Sequence, residues 1–587
     1  MTQLDEIQTE IVNYDGDATH VQATPGSGKT RTIIEKMRRM IGLGSHVLAI
    51  TFTKKAANEM MDRLSTNQID NKVKKPLLGT FHMVACRFLR QYGGKDFSIV
   101  DSVDQKTIIK MILDNTKSCN NSNKMISSCL GMISTLKNRP GEPVPGAPEN
   151  LDEIYASYQD ALHENNSLDF DDLIIECTKL LNATHKNIHP YDYLMVDEFQ
   201  DTNDLQWEMI KALNIKKIFV VGDSDQMIYT WRHASSRNID NLHIMYPIRT
   251  FKMTNNYRSN SKIIEVAHSI IEQPTREPKH MTSHVDVTHR NPVICRVLDT
   301  HDNEVESICR CIMGTPHKTR AILLRMYWQS RAFEARLKEL GVPFKLLNGI
   351  AFYERPPVKI LLSMLRLKCN PLDGIALRYA INKPSRGIGE KTLEKIMLSI
   401  KSNTQKPKKY RDFLKIIDGI IFEDAHRSLV YLKDIIKLDE YLINEYPSLE
   451  EYHQQVKCVE ELLLISKGRS VKEFLTMITL ESDAIRDAID DSDDDSVDDN
   501  EINVRPPVII STLHSAKGLE WDMVVIPSVE ENIIPHIYAV GESYEEERRL
   551  FYVGVTRARQ QLMLTRAKSR DNIYEIRKNL PSPFYLF

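Results

Sequence analysis

"ATPGSGKT", Ala23 to Thr30, follows the short apolar stretch "HVQ" and precedes the helix-like "RTIIEKMRRMIGLG". A strand, a glycine-rich turn and a helix in that order form half of a βαβ unit, and the next apolar run, "HVLAITF" from His46, completes it. The turn has the Walker A pattern except that alanine (Ala23) takes the first glycine's place. In such a turn, formed here by Thr24, Pro25, Gly26, Ser27 and Gly28, the backbone N–H groups that all but Pro25 carry surround a β-phosphate, and the helix N-terminus adds its dipole. Lys29 reaches the β- and γ-phosphates, and the Thr30 hydroxyl is a ligand for Mg²⁺. ATP and Mg²⁺ are therefore the expected substrate and cofactor.

A phosphate loop needs acid on a neighbouring strand. "YLMVDEFQDT" supplies it, with Asp197 expected on Mg²⁺ and Glu198 beside the attacking water. Further apolar runs at "KIFVVGD", "RAILLR", "VIISTLH" and "MVVIPSV" read as buried parallel strands. The expected fold is α/β: two P-loop motor layers of parallel sheet flanked by helices, each carrying a mainly helical insert. Residues 1–82 and 188–258 form the first layer, 259–372 and 503–587 the second, with inserts at 83–187 and 373–502. Transition-state charge on a γ-phosphate calls for arginines from outside the loop, and Arg258 in "NNYRSN" and Arg557 in "VTRARQ" stand at element ends. If Arg557 belongs to the second layer, it reaches ATP only when the layers close.

Composition agrees with an ordinary globular protein of several domains, 42% hydrophobic and 27% charged over 587 residues. No apolar run is long enough to span a bilayer, and the start "MTQLDEIQTE" lacks a signal-peptide pattern. The nine cysteines are scattered, as in a reducing compartment. A cytoplasmic location is expected, or a nuclear one for a eukaryotic or nuclear-replicating source. The net charge of −3 hides a local imbalance, because "DDSDDDSVDDNE" (490–501) holds eight acidic residues and the rest of the chain is +5. That run reads as a solvated linker or, less simply, as an internal DNA mimic.

One loop, "GDSDQMIYTWRHA" (Gly222–Ala234), puts Gln226, Tyr229 and Trp231 within six residues of one another directly after a strand. Taken with "LDEIQ" (Leu4–Gln8), the phosphate loop, "AITFTKKAANEM" (Ala49–Met60), "GTFH" (Gly79–His82), "VDEFQDTN", "NNYRS", "STLHSAKGLEWD" (Ser511–Asp522) and "EEERRLFYVGVTRAR" (Glu545–Arg559), it resembles the ordered motifs of superfamily 1A DNA helicases of the UvrD/Rep/PcrA type. "SLDFDDL" (Ser167–Leu173) and "NKPSRGIGEKTLEKI" (Asn382–Ile396) add weaker matches in the inserts.

The resemblance implies an ATP-dependent 3′→5′ DNA helicase acting on single strands and single-strand/duplex junctions in repair, recombination or replication. It implies Gln8 at the adenine edge, Arg31 and Tyr257 flanking the base, and Glu520 near ribose and metal. Gln226, Arg258 and Arg557 become γ-phosphate sensors. Phe52, His82, Tyr229, Trp231, Arg232 and His514 match positions that line the single-strand groove, where aromatic faces stack on any base at ~1–3 kcal/mol each.

The chain departs from the family pattern in four places. His233 stands where glycine usually follows "WR", and Met326, Tyr327 and Trp328 replace small polar residues. The second insert looks short, and only 28 residues follow Arg559. A reduced insert suggests the competing reading, a single-strand translocase that strips proteins with little unwinding. A nucleotide-switched binding protein is the third reading, for which the full motor set would be needless. No heptad stretch or apolar dimer face is evident, so a monomer is expected.

Overall fold

The computed structural model describes residues 3–65, 75–94, 96–115, 123–183, 188–230, 233–273, 276, 278–326, 329–347, 353, 355–401, 406–446, 449–478, 506–537, 539–572, 575–578 and 580–585. Trp231, Arg232, Tyr327, Trp328 and the acidic run 490–501 lie outside these. The chain divides into two units, one of Met1–Val84, Thr184–Asn348 and Asp487–Phe587, the other of Ala85–Ala183 and Gly349–Arg486.

The first unit holds two parallel sheets. In the first the strands run in the order Leu77–Thr80, Val47–Thr51, Tyr193–Val196, Lys217–Gly222, Ala18–Ala23, Arg249–Met253. Val47–Thr51 and Tyr193–Val196 are buried at every position, which explains their unbroken apolar reading. The helix Lys29–Gly42 lays Ile33, Met37 and Ile41 onto Val21, Phe219 and Met195. The second sheet runs Val293–Thr300, Ala558–Asn572, Trp521–Ile526, Arg320–Leu324, Val508–Thr512, Phe344–Leu346, with Glu575–Lys578 antiparallel at the long strand. Ile322, Val508, Met523 and Val525 pack against Ile308 and Phe333 of its helices. Parallel order places every strand's carboxyl end on one edge, and that edge is where such folds build sites. Thr24, Phe52, Asp197 and Asp223 follow four of the first sheet's strands directly.

The second unit is mainly helical. The two inserts, expected as separate subdomains, share it, and residues 349–372 belong here rather than to the second motor layer. The reason is visible in the helix Pro356–Cys369, whose Val358, Ile360, Leu361, Met364 and Leu365 are buried on all sides of it among Phe413, Leu429 and Phe474. A helix buried this widely belongs inside a bundle, and its Lys359 and Arg366 are accommodated there by pairing with Asp104. Ile375 of the second insert completes a core with Ile108, Ile133 and Tyr158 of the first, and the Asn370 amide donates to the Asn165 carbonyl at 2.8 Å. Among the described residues no helix is long and apolar enough to cross a membrane.

Candidate active site

The phosphate loop leaves the strand Ala18–Ala23 and is fastened on both sides. Thr24 N and Oγ1 both donate to the Met253 carbonyl, at 3.0 and 3.1 Å. Asn256 Nδ2 donates to Pro25 O at 2.7 Å, and Tyr257 N to Gly26 O at 2.8 Å. Gly26 and Gly28 have φ of 69° and 84°, and a Cβ at Gly28 would stand 2.8 Å from Gln8 Nε2. Only glycine fits both demands. Lys29 then opens a helix whose free N–H groups and dipole face the loop's hollow.

Gln8 supports this loop directly. Its Nε2 donates to Ser27 O at 3.0 Å, its Oε1 accepts from Asp5 N in a capping box, and the residue is 2% exposed. Gln8 thus ties the phosphate loop to the N-terminal helix, with one N–H and one lone pair left for an adenine edge. Tyr257 is 42% exposed; its hydroxyl donates to Asp5 at 2.6 Å and its ring stacks on His284 with centroids 5.0 Å apart. Burial and the Asp5 carboxylate push the Tyr257 phenol up to about 12. Arg31 lies half-buried in the first turn of the phosphate-loop helix.

Thr30, Asp197 and Glu198 line one cavity with Lys517 and Tyr229, of about 100 Å³. Glu198 sits at φ 50°, a left-handed conformation that side chains adopt at a cost and that recurs at functional sites. Burial raises the Asp197 carboxyl to about 7, with the Glu198 charge adding to it. Burial works the same way on Glu198, but Lys29 and Lys517 outweigh it and hold that carboxyl down to about 2. Lys29 Nζ lies 3.8 Å from Glu198 Oε2. Two buried atoms lack a hydrogen-bond partner here, the Lys29 ammonium and Asp197 Oδ1. A donor without an acceptor beside an acceptor without a donor fits a phosphate on the first and a hard cation on the second.

The turn before the second sheet's long strand contributes Arg557. Arg557, fully buried, donates to Gln226 Oε1 at 3.0 Å and to Val553 O at 3.0 Å; burial and the nearby Arg258 bring its guanidinium down to about 9. Gln226 Nε2 in turn donates to Asp223 Oδ2 at 2.9 Å. Arg258 is ion-paired with Glu520, which also holds Arg559. Burial opposes ionisation of Glu520, yet the two arginines bring its carboxyl down to about 2. Glu520 therefore stands between arginines, where the resemblance implied ribose and metal.

On the side expected to face DNA, Phe52 stacks on Tyr229 with centroids 4.9 Å apart and planes 20° from parallel. Tyr229, expected as a base platform, is 2% exposed and has the Lys517 ammonium 4.9 Å from its ring centre. It is packed against the half-buried Phe52, which lines the same cavity. His82 lies half-buried in the first turn of the helix Phe81–Gln91. His514 follows the strand Val508–Thr512, and burial with Arg325 nearby lowers its imidazole to about 3, leaving it neutral. His233 has φ 66°, a left-handed backbone that favours glycine, in keeping with the glycine that the resemblance implied at this position. In the helical unit, Gly387 (φ 64°) turns against the Lys409 ammonium, at the start of a helix whose Lys408, Lys409, Arg411 and Lys415 are exposed.

Two further residues, Gln200 and Lys517, join the site without a signal of their own in the sequence. Gln200 donates to Glu198 at 2.6 Å and accepts from Asp223 N at 2.9 Å, so it joins the acidic pair to the Gln226 loop. Lys517 donates to Gln226 O at 2.8 Å and pairs with Asp201. Both lie inside quoted motifs, beside residues whose chemistry drew more notice.

Two parallel sheets sharing a phosphate loop, an acidic pair and an arginine from the opposite sheet define a nucleotide-driven P-loop motor. Residues 4–247 match the UvrD/REP helicase N-terminal domain family, and residues 251–569 the UvrD-like helicase C-terminal domain. The chain is 30% identical over 645 aligned residues to the ATP-dependent DNA helicase PcrA of Staphylococcus aureus (strain NCTC 8325), covering 98% of this chain and 85% of that protein. It is 31% identical over 647 residues to PcrA of Staphylococcus epidermidis (strain ATCC 12228), with the same coverage. The chain belongs to the UvrD/Rep family of helicases.

Proposed function

We propose that the chain is an ATP hydrolase that moves along single-stranded DNA in the 3′→5′ direction and displaces the paired strand at single-strand/duplex junctions, in repair, recombination or replication. The observation that carries this is a single loop. Gln226 at its start bonds Arg557 of the opposite sheet, and Tyr229, three residues on, stacks with Phe52.

The triphosphate of ATP lies against the phosphate-loop amides and the Lys29 ammonium, with the base beside Tyr257 and Arg31. Thr30 and Asp197 would hold Mg²⁺, which would supply neutralisation of phosphate charge. Glu198, ionised at neutral pH, orients the attacking water and takes its proton as the bond from the γ-phosphorus to the bridging oxygen breaks. Arg557, and Arg258 once it exchanges Glu520 for phosphate, stabilise the charge that develops. Departure of the γ-phosphate frees Gln226 and shifts the loop, and with it the Tyr229–Phe52 stack and the neighbouring Trp231 and Arg232 that hold the strand. Polarity rests on the family resemblance, and the relatives' name, ATP-dependent DNA helicase, supports the activity. The exposed lysines beside Gly387 suit duplex phosphates.

Strand displacement with ATP and Mg²⁺, on duplexes with a 3′ tail, a 5′ tail or none, tests this. Preferential opening of the 3′-tailed duplex is expected. DNA-stimulated hydrolysis without displacement would replace unwinding by protein-stripping translocation, and preference for the 5′ tail would overturn the polarity.

A further inference from the structure

The loop bearing Gln226 is held from behind by a segment that none of the motifs covers. After the helix Ser261–Ile271, Arg276 forks onto the Asp225 carboxylate, with Nε 2.7 Å from Oδ1. Lys279 Nζ lies 2.8 Å from Asp223 Oδ1, 2.9 Å from Asp225 Oδ2 and 3.0 Å from Ser224 Oγ. Both aspartates are buried, and the Lys279 side chain is largely so. The same segment continues into Thr282–Ser283, which pairs in parallel with Asn255–Asn256, and His284 N donates to Asn256 O at 2.8 Å. It therefore touches the roots of both sensors, Gln226 and Arg258.

The chemistry runs in one direction. An ionised carboxylate only accepts hydrogen bonds, so Asp223 Oδ2 requires the NH₂ side of the Gln226 amide to face it. The amide oxygen is then turned to Arg557 Nη2, 3.0 Å away. If Asp223 gained a proton or swung out, the amide would lose one of the two partners that distinguish its ends and would be oriented by the Arg557 donor alone. A buried carboxylate keeps both charge and position when an ammonium is hydrogen-bonded to it.

We propose that Lys279, assisted by Arg276, is a positioning residue for ATP hydrolysis, acting through Asp223 to set the Gln226 amide toward Arg557. The proposal rests on the ATP hydrolase reading above. Misorientation of a sensing group by a fraction of a bond length lowers turnover more than nucleotide affinity, because the interaction is completed in the transition state.

A double-mutant cycle on the full chain, with saturating single-stranded DNA, tests it. Lys279→Met should lower kcat roughly 10- to 100-fold while KM for ATP stays within about threefold, and Lys279→Arg should recover most of the loss. In a Gln226→Ala background, Lys279→Met should add less than about twofold. An equal loss in both backgrounds, or kcat and KM failing together, would reduce Lys279 to a fastening of the loop and overturn the proposal. Should Lys279→Met not fold, Asp223→Asn keeps the volume but presents a donor to Gln226, and it carries the same expectation. Turnover at the wild-type rate in that variant would overturn the proposal as well. A wild-type chain without DNA-stimulated turnover would remove the hydrolase reading and this one with it, whereas an active wild type with an additive cycle removes this one alone.

Discussion

Replacing Lys29 by methionine keeps the stem of the side chain and removes only its ammonium. That group lies 3.8 Å from Glu198 Oε2, with side chains 13% and 23% exposed, and donates no hydrogen bond. At an effective dielectric near 20, the attraction lost is about 4 kcal/mol. For the folded chain this is an upper bound, since Lys517 also faces Glu198. The sign follows from the Glu198 pKa, held at about 2 in the fold against 4.5 for the free group. The stabilisation it brings is complete above pH 4.5 and fades as the pH falls toward 2, so the variant should be less stable at pH 7 and lose less on acidification. For turnover, the same 4 kcal/mol directed at a γ-phosphate oxygen corresponds to about a 10³-fold drop in kcat. Phosphate release with saturating oligonucleotide, urea melts at pH 7 and pH 4, and anisotropy of a labelled single strand measure the three effects. Strand binding should persist. A variant retaining kcat within about tenfold of wild type would refute the reasoning, for then the unpartnered ammonium is not waiting for phosphate.

Gly26→Ala places a Cβ 2.7 Å from Arg258 Cβ and 2.9 Å from Asn256 Nδ2 at φ 69°; a loss of at least about 1–2 kcal/mol and weaker ATP binding should follow, checked by melting and nucleotide titration. Trp231→Ala should keep basal nucleotide binding yet lose stimulation of turnover by single strands, and unchanged stimulation would break the link between loop and strand. His20 is brought down to about 4 by burial, then by His243 and Lys279, so the unfolded chain binds its proton first and stability should climb as pH rises from 4 to 6.5. His20→Gln should flatten that climb by up to ~1.4 kcal/mol per pH unit, read from urea midpoints at pH 5, 6 and 7.

Much of the first motor layer was readable because its strands are buried on both faces, so "YLMV" and "KIFVV" carry their burial in composition. The expected acidic pair stood out for a related reason: Asp197 and Glu198 directly follow the strand Tyr193–Val196, where the change from apolar to charged is abrupt. What escaped was whatever depends on contact between distant segments. The burial of Tyr229 comes from Phe52, 177 positions earlier, and from Lys517. The Pro356–Cys369 helix looks like the tail of a motor layer until its broad apolar surface meets the second insert. Glu520 was assigned by position in a motif, and only the spatial meeting of Arg258 and Arg559 reveals its partners.

The Lys517 ammonium serves three neighbours at once. It pairs with Asp201 after the acidic strand, donates to the Gln226 carbonyl, and lies over the Tyr229 ring. Two of these belong to the fuel side of the molecule and the third to the cargo side, yet all are served by one nitrogen that cannot be shared differently without loss. If the chain translocates as proposed, the gearing ratio of the motor, bases advanced per ATP consumed, would be set within this single side chain's reach. Substitutions there should alter slippage, the turnover that produces no advance, before they alter either grip or hydrolysis alone.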